Sequence, residues 1–243
     1  MGQWEFMPIR KLVEGHQHFV ETFAKAENEY LRQLAEEGQR PDTLIVSCSD
    51  SRVIPELITG AAPGHLFVVR NVGNMVPPYA TKNMTVGSAL EYAIDHLNVQ
   101  HVIVLGHYKC GAMAALRGLF GPGGKASQGA LPTSPLVEWL KYAEASYQEA
   151  VQKGVLDTDA WLKTLVEENV LQQLANVIEY PVVRGAVERG DVKLHAWTYS
   201  LDDSLLYFFD SARGAFTSSA DAANQGGTGQ MTLDEIERED NVK

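Results

Sequence analysis

The 243-residue chain has two cysteines, and each lies just past an apolar run. Cys48 opens the stretch Cys-Ser-Asp-Ser-Arg (48–52) after Leu44, Ile45 and Val46, and Cys110 closes Gly-His-Tyr-Lys-Cys (106–110) after Val102 to Leu105. His107 lies three residues before Cys110, a separation that brings two side chains to one face of a turn. With Cys48 they make a Cys2His set, which with its fourth position open is a catalytic zinc environment. Two thiolates neutralise the ion's formal charge, so such a centre is a weaker Lewis acid than one held by three imidazoles, and its water needs a neighbour to orient it or help it ionise. Asp50 is the neighbour on offer. Arg52, two residues on and on the same side of an extended stretch, can clamp the Asp50 carboxylate through a bidentate pair and keep it ionised.

Taken one at a time, these residues have plainer explanations. A lone cysteine after an apolar strand is more often core than ligand. Asp and Arg at a strand end are more often a cap and a surface ion pair. A disulfide between Cys48 and Cys110 is disfavoured in a reducing compartment. Both cysteines falling at matching strand ends, each beside a metal-competent partner, shifts the balance to metal.

The elements that must position these groups are legible as alternating patterns. Residues 43–48, 66–70 and 101–107 are short, apolar, β-rich runs, and Met84 to Leu97 between the second and third reads as helix, so a mostly parallel central sheet with flanking helices is predicted, an α/β fold. In such sheets the carboxyl ends of the strands carry the ligand site. Upstream, Leu12, Val13, Phe19, Val20, Phe23, Leu31 and Leu34 form a helical stripe that stops at Gly38, giving an N-terminal helical arm over residues 1–40 whose apolar face packs on a partner subunit. Residues 121–135 form a Gly/Pro/Ser loop. Helical periodicity covers 136–151 and 161–178, and Pro181 ends the second of these. Residues 192–200 and 205–210 read as a late strand pair. One domain is expected over 1–215, followed by a flexible acidic tail over 216–243.

Composition narrows the function. The chain is 45% hydrophobic and 21% charged with a net charge of −11, which suits a globular domain and argues against nucleic acid or an anionic membrane surface as partner. No apolar stretch approaches the roughly 20 residues of a membrane span, so a cytoplasmic protein with reduced thiols and a small-molecule substrate is expected.

Cys-Ser-Asp-Ser-Arg at 48–52 followed by Gly-His-Tyr-Lys-Cys-Gly-Ala at 106–112 resembles the paired C-x-D-x-R and H-x-x-C signature of the β-class carbonic anhydrases, in the usual order and separation. The segments 63–79, 87–97 and 189–200 are similar to that family's too, so the resemblance runs roughly from Leu12 to Asp210. It implies one Zn2+ per subunit held by Cys48, His107 and Cys110, with Asp50 and Arg52 as the dyad that orients the zinc-bound hydroxide for attack on CO2 to give bicarbonate. It also implies that Gln39, Phe67, Val72, Tyr92 and Gly111 line the CO2 pocket, several of them from the partner subunit. A homodimer is then the minimum, with tetramer or octamer left open and a larger carbon-fixing assembly conceivable. Members regulated by bicarbonate at a second pocket carry Trp three residues before the first cysteine. Here Ile45 stands there, beside Arg70 and Tyr199 at the other two places, so a plant-like, constitutively open site is expected, with Asp50 paired to Arg52. His65, His96 and His101 are proton-shuttle candidates by type alone. Two rival readings are hydrolysis of carbonyl sulfide or carbon disulfide on the same scaffold, and a structural zinc protein in which Asp50 closes the site as a fourth ligand.

Overall fold

Runs of β-branched and aliphatic residues that alternate between two apolar faces build the sheet, and its pairing places the chemistry. The computed structural model describes residues 7–121, 134–154, 158–222 and 227–241. The chain divides between Gln39 and Arg40 into two units.

In the first unit, α1 (Ile9–Phe19) and α2 (Asn28–Glu37) flank a π-type turn at Val20–Ala24. Gly38, at φ +81°, ends α2 in a conformation that side chains with a Cβ rarely adopt. None of the described residues of this unit is buried, and Ile9, Leu12, Val13, Phe19, Val20 and Phe23 are exposed.

The second unit runs β1 (Thr43–Cys48), α3 (Pro55–Thr59), β2 (Leu66–Asn71), α4 (Met84–Glu91, continued by a π-type turn at Tyr92–His96), β3 (His101–His107), α5 (Gly111–Phe120), α6 (Pro135–Leu140), α7 (Glu144–Gln152), α8 (Thr158–Ile178), α9 (Pro181–Glu188), β4 (Lys193–Tyr199), β5 (Leu206–Asp210), β6 (Ala215–Ser218), α10 (Ser219–Ala222), β7 (Gln230–Met231) and α11 (Leu233–Asn241). The strand order is β2-β1-β3-β4-β5-β6, parallel through β4 and antiparallel beyond it, with β7 also paired antiparallel to β4. The predicted strands and the α/β class are therefore present. Most of the predicted 121–135 loop lies outside the described residues. Pro181 does more than stop α8: its fixed φ and missing N–H suit the first position of a helix, and it starts α9, which the apolar periodicity did not reveal.

One sheet face carries Leu44, Val46, Val102, Val104, Leu194 and Ala196 into a large core with α4, α8 and α9. The opposite face carries Ile45, Ile103 and Leu105 into a much smaller cluster whose neighbours Ile58, Leu66, Trp197, Tyr199 and Leu206 are only partly buried. Gly106, just before His107, lets α8 approach β3 closely, since a Cβ there would lie 2.5 Å from Val170. The approach of that helix and the position of His107 are thus coupled.

The boundary expected at residue 215 is not one, and the described residues beyond it are docked. β5 covers β4 only from Trp197 to Tyr199, leaving the first half of that edge open. β7 pairs there, opposite Leu194 and His195, and Met231 and Ile236 are buried in the main core. The sparse apolar residues of an acidic segment were enough, because an unpaired strand edge supplied hydrogen bonds. The Thr228 carbonyl accepts from Trp197 Nε1 at 2.7 Å and from His195 Nδ1 at 3.1 Å. Because a carbonyl only accepts, His195 carries its proton on Nδ1, and its Nε2 accepts from His101 Nδ1 at 3.0 Å. Among the described residues no helix is long and apolar enough to cross a membrane.

Burial pushes the His195 pKa down to about 4. The unfolded chain, with a histidine pKa of about 6.5, binds the extra proton first as pH falls, so this contribution to stability is present above pH ~6.5 and is lost towards pH 4. His195→Gln keeps a donor and an acceptor but does not titrate. Urea unfolding at pH 7 and pH 5 should show the wild type losing on the order of 2 kcal/mol more than the variant. An equal loss in both would contradict this assignment.

Candidate metal centre

β1 lies between β2 and β3, so the chain leaves it in one direction to form β2 and returns on its other side as β3. That reversal is a switch point, where the loops after neighbouring strands diverge and leave a crevice at their carboxyl ends. Ser47 pairs with Leu105 and Cys48 with Asn71. Cys48 ends β1 and His107 ends β3 on adjacent strands at the same edge. A tight turn follows, in which Lys109 takes φ +59°, and Cys110 caps the start of α5.

The three ligand atoms lie within 4.8 Å of one another, all on buried residues. The two sulfurs are 4.0 Å apart and both cysteines are free thiols. Tetrahedral coordination with Zn–S bonds of about 2.3 Å would place two sulfurs ~3.8 Å apart, so the observed spacing fits zinc with almost no adjustment. His107 Nδ1 donates to the Tyr108 carbonyl at 3.1 Å, which fixes the tautomer and leaves Nε2 as the lone-pair atom. Nε2 is buried with no hydrogen-bond partner. A buried acceptor with no donor is costly, and a cation between it and the two sulfurs accounts for it.

The thiols act as a pair. Hydrogen bonding with Cys110, opposed by burial and helped by His107, holds the Cys48 thiol below the usual thiol range. Hydrogen bonding with Cys48 first, then burial, pushes the Cys110 thiol up. An apolar wall of Met75, Met113, Leu116, Leu140, Leu165 and Val166 backs the cluster and keeps the donors in a low dielectric.

Asp50 faces the same point. Its Oδ1 accepts from Arg52 Nε at 2.9 Å and from the Arg52 backbone N–H at 3.0 Å, and its Oδ2 accepts from Arg52 Nη2 at 2.8 Å. Hydrogen bonds from the Arg52 guanidinium, outweighing desolvation, hold the carboxyl well below the usual carboxylate range. Oδ2 lies 3.7 Å from His107 Nε2. Arg70, which spacing did not single out for this purpose, holds the loop itself. It donates to the carbonyls of Cys48 at 3.2 Å, Asp50 at 2.8 Å and Val53 at 2.7 Å. A positive residue near the end of the strand next to β1 was the available signal.

Of the residues expected to line a pocket, Gly111 and Val72 follow strands at the edge that carries the cluster, whereas Phe67 and Tyr92 pack on each other away from it. Gly111, next to Cys110, is exposed, and a Cβ on it would meet nothing within 4 Å. Val72 directly follows β2, is 41% exposed, and its carbonyl takes a hydrogen bond from Trp139 Nε1 at 2.8 Å. Phe67 pairs with Leu44, four residues before Cys48, which is ~13 Å along the strand. Its ring packs instead on Tyr92, centroids 5.9 Å apart. Gln39 is the exposed last residue of the N-terminal unit. Of the shuttle candidates, His65 and His101 lie at the amino ends of β2 and β3, about 20 Å along the strands from the site, and His96 packs on Tyr92.

Residues 43–206 match the carbonic anhydrase family profile. A carbonic anhydrase of Synechococcus elongatus is 39% identical over 196 residues, which cover 80% of this chain and 69% of that protein. Among solved structures, the β-carbonic anhydrase CcaA superposes with a TM-score of 0.78 at 36% identity, covering 86% of this chain and 91% of that one. A Coccomyxa β-carbonic anhydrase, solved in complex with acetazolamide, superposes with a TM-score of 0.73 at 28% identity over 96% of each chain. With a buried pair of thiols and an imidazole converging at the switch point of such a sheet, the chain belongs to the β-class carbonic anhydrases, enzymes of CO2 hydration.

Proposed function

We propose that this carbonic anhydrase works through one zinc ion held by Cys48, His107 and Cys110, with Asp50 and Arg52 beside its open position and a CO2 pocket completed by a second copy of the chain. The single observation that carries the reading is the buried, partnerless His107 Nε2 sharing a 4.8 Å cluster with both sulfurs. Bound there, the ion would supply a Lewis-acidic centre that lowers the pKa of water and so makes a nucleophile available near neutral pH.

The remaining steps belong to the chain. Asp50, kept ionised by Arg52, can only accept hydrogen bonds, so it holds the proton of an attacking oxygen and turns a lone pair of that oxygen towards carbon. Arg70 pins the loop carbonyls so that this carboxylate does not drift. Substrate is small and apolar: Val72, together with Phe67 of the partner subunit and Tyr92 of the partner subunit, would hold it by dispersion contacts, and a Gln39 amide would polarise one of its oxygens. Gly111, with open space in front of it, leaves room beside the ligands. Supporting the second copy are the ~13 Å between Phe67 and Cys48 within one chain, the exposed apolar stripe from Ile9 to Phe23, and the thinly covered sheet face at Ile45 and Leu105. Such an enzyme, with thiolate ligands, suits a reducing compartment such as the cytoplasm.

Cys48→Ala and His107→Ala should each lose zinc and stopped-flow CO2 hydration together, whereas Asp50→Asn should retain a full equivalent of zinc and lose roughly 100-fold or more in kcat. Full activity in Asp50→Asn would remove the dyad from the mechanism. Acetazolamide should inhibit hydration competitively with small anions, and an enzyme insensitive to both would have no open metal position. The double variant Phe19→Asp/Phe23→Asp should sediment as a monomer and lose most activity while keeping its zinc. A fully active monomer would contradict the shared pocket.

A further inference from the structure

The ladder between β1 and β2 ends where Cys48 pairs with Asn71, and the turn that follows is held by side chains instead. Met75 N–H donates to Asn71 Oδ1 at 2.7 Å and the Met75 carbonyl accepts from Asn71 Nδ2 at 2.8 Å. From α8, Asn169 Nδ2 donates to the Gly73 carbonyl at 3.1 Å, Gln173 Oε1 accepts from Val76 N–H at 2.7 Å, and Asn176 Nδ2 donates to the Val76 carbonyl at 2.7 Å. Just past that helix, Tyr180 Oη donates to the Pro77 carbonyl at 2.8 Å. Asn169, Gln173, Asn176 and Tyr180 are all buried, so the turn from Gly73 to Pro77 is tied into the core.

Val72 is held differently. It is the first residue past the ladder, and its carbonyl accepts from Trp139 Nε1 of α6 at 2.8 Å. Trp139 is partly buried, with its ring edge-on to Tyr142 and the centroids 5.5 Å apart. The helix does not need it as an anchor, because Val137 and Leu140 seat α6 in the apolar cluster around Cys48 and Cys110. Nor does hydrogen-bond satisfaction demand an indole here: Val72 is 41% exposed, and a carbonyl at such a residue can bond water instead. What the indole decides is where the Val72 peptide sits.

That place matters because of its flanks. On one side, the Asn71 carbonyl, which belongs to the peptide leading into Val72, accepts from Ser49 N–H at 2.8 Å, one residue past Cys48. On the other, Gly73 takes φ +80°, and a Cβ on it would lie 3.2 Å from Ala112 Cβ and 3.3 Å from Met113 Cε, so its backbone abuts the first turn of α5, just past Cys110. Val72 therefore spans from one sulfur-bearing stretch to the other.

Resting on the reading of Val72 as a wall of the substrate pocket, we infer that Trp139 is a positioning residue for CO2 binding: its indole N–H, by holding the Val72 carbonyl, sets how closely that wall approaches the substrate. Dispersion contacts fall steeply with distance, and a gap of about 0.5–1 Å already forfeits a quarter to a half of one. CO2 is held by such contacts before attack as much as during it. Losing them weakens ground state and transition state alike, which raises KM and leaves kcat in place.

The test uses the full-length zinc enzyme in stopped-flow CO2 hydration, with cobalt(II) substitution to report on the ligand set. Trp139→Phe keeps an aromatic ring and removes the donor. It should raise KM for CO2 by about 3-fold or more, while kcat and the cobalt absorption spectrum stay those of the wild type. Trp139→His, whose Nε2 takes the place of the indole Nε1, should recover most of that loss. Because Trp139 acts through Val72, Val72→Ala should raise KM by itself, and adding Trp139→Phe to it should raise KM no further. Should Trp139→Phe fail to fold, Trp139→Met removes the same donor. With KM raised in Val72→Ala, the inference is overturned by a donor-free variant that keeps wild-type KM, loses kcat or alters the cobalt spectrum, by an effect that adds in full to that of Val72→Ala, by a Trp139→His no better than Trp139→Phe, or by failure of both donor-free variants to fold. A wild-type KM in Val72→Ala would instead overturn the pocket reading, so the two failures are distinguishable.

Discussion

The site exists because β1 and β3 are parallel neighbours in register. That one pairing sets Ser47 opposite Leu105, so that Cys48 and His107 leave the sheet at the same edge, and a single tight turn then returns Cys110 to them. A slip of one residue would send one of the donors to the opposite face. The β-branched residues Ile45, Val46, Ile103 and Val104 that specify the pairing are thus also what brings the Cys-His-Cys triad together.

Around this frame the molecule arranges polar groups in a consistent way. Tyr108 gives its carbonyl to the imidazole, Arg52 gives two donors to Asp50, Arg70 ties down three loop carbonyls, and the α8 amides hold the turn that leaves β2. None of these groups is a candidate ligand, yet Tyr108 orients His107, and Arg52 and Arg70 hold Asp50 and its loop. Preorganisation of this kind removes the reorganisation cost that a flexible polar site would meet at each turnover.

Much of this was legible before any coordinates. The three parallel strands, the late strand pair and the Cys2His set with its Asp-Arg dyad follow from short apolar runs and from residue types at strand ends. What escaped did so for physical reasons. α9 begins at a proline that reads equally as a stop. The C-terminal segment looked too polar to dock, because its two buried apolar residues, Met231 and Ile236, matter only in combination with the open half of β4. Asn169, Gln173 and Asn176 resembled surface polar residues, although their helical phase placed them on the apolar face. Phe67 and Tyr92 sit apart from Cys48, and the proposed pocket shared between copies would leave no periodic mark in one chain.

The central claim is that two sulfurs and one imidazole surround one cation and leave it a position free of protein. Zinc-edge X-ray absorption on the full-length enzyme, with and without Asp50→Asn, measures this most directly. The account predicts two sulfur scatterers at about 2.3 Å and one imidazole nitrogen at about 2.0 Å, with one further light scatterer that Asp50→Asn leaves in place and an added small anion replaces. A sulfur count other than two, or a fourth scatterer that disappears with the Asp50 carboxylate, would contradict it.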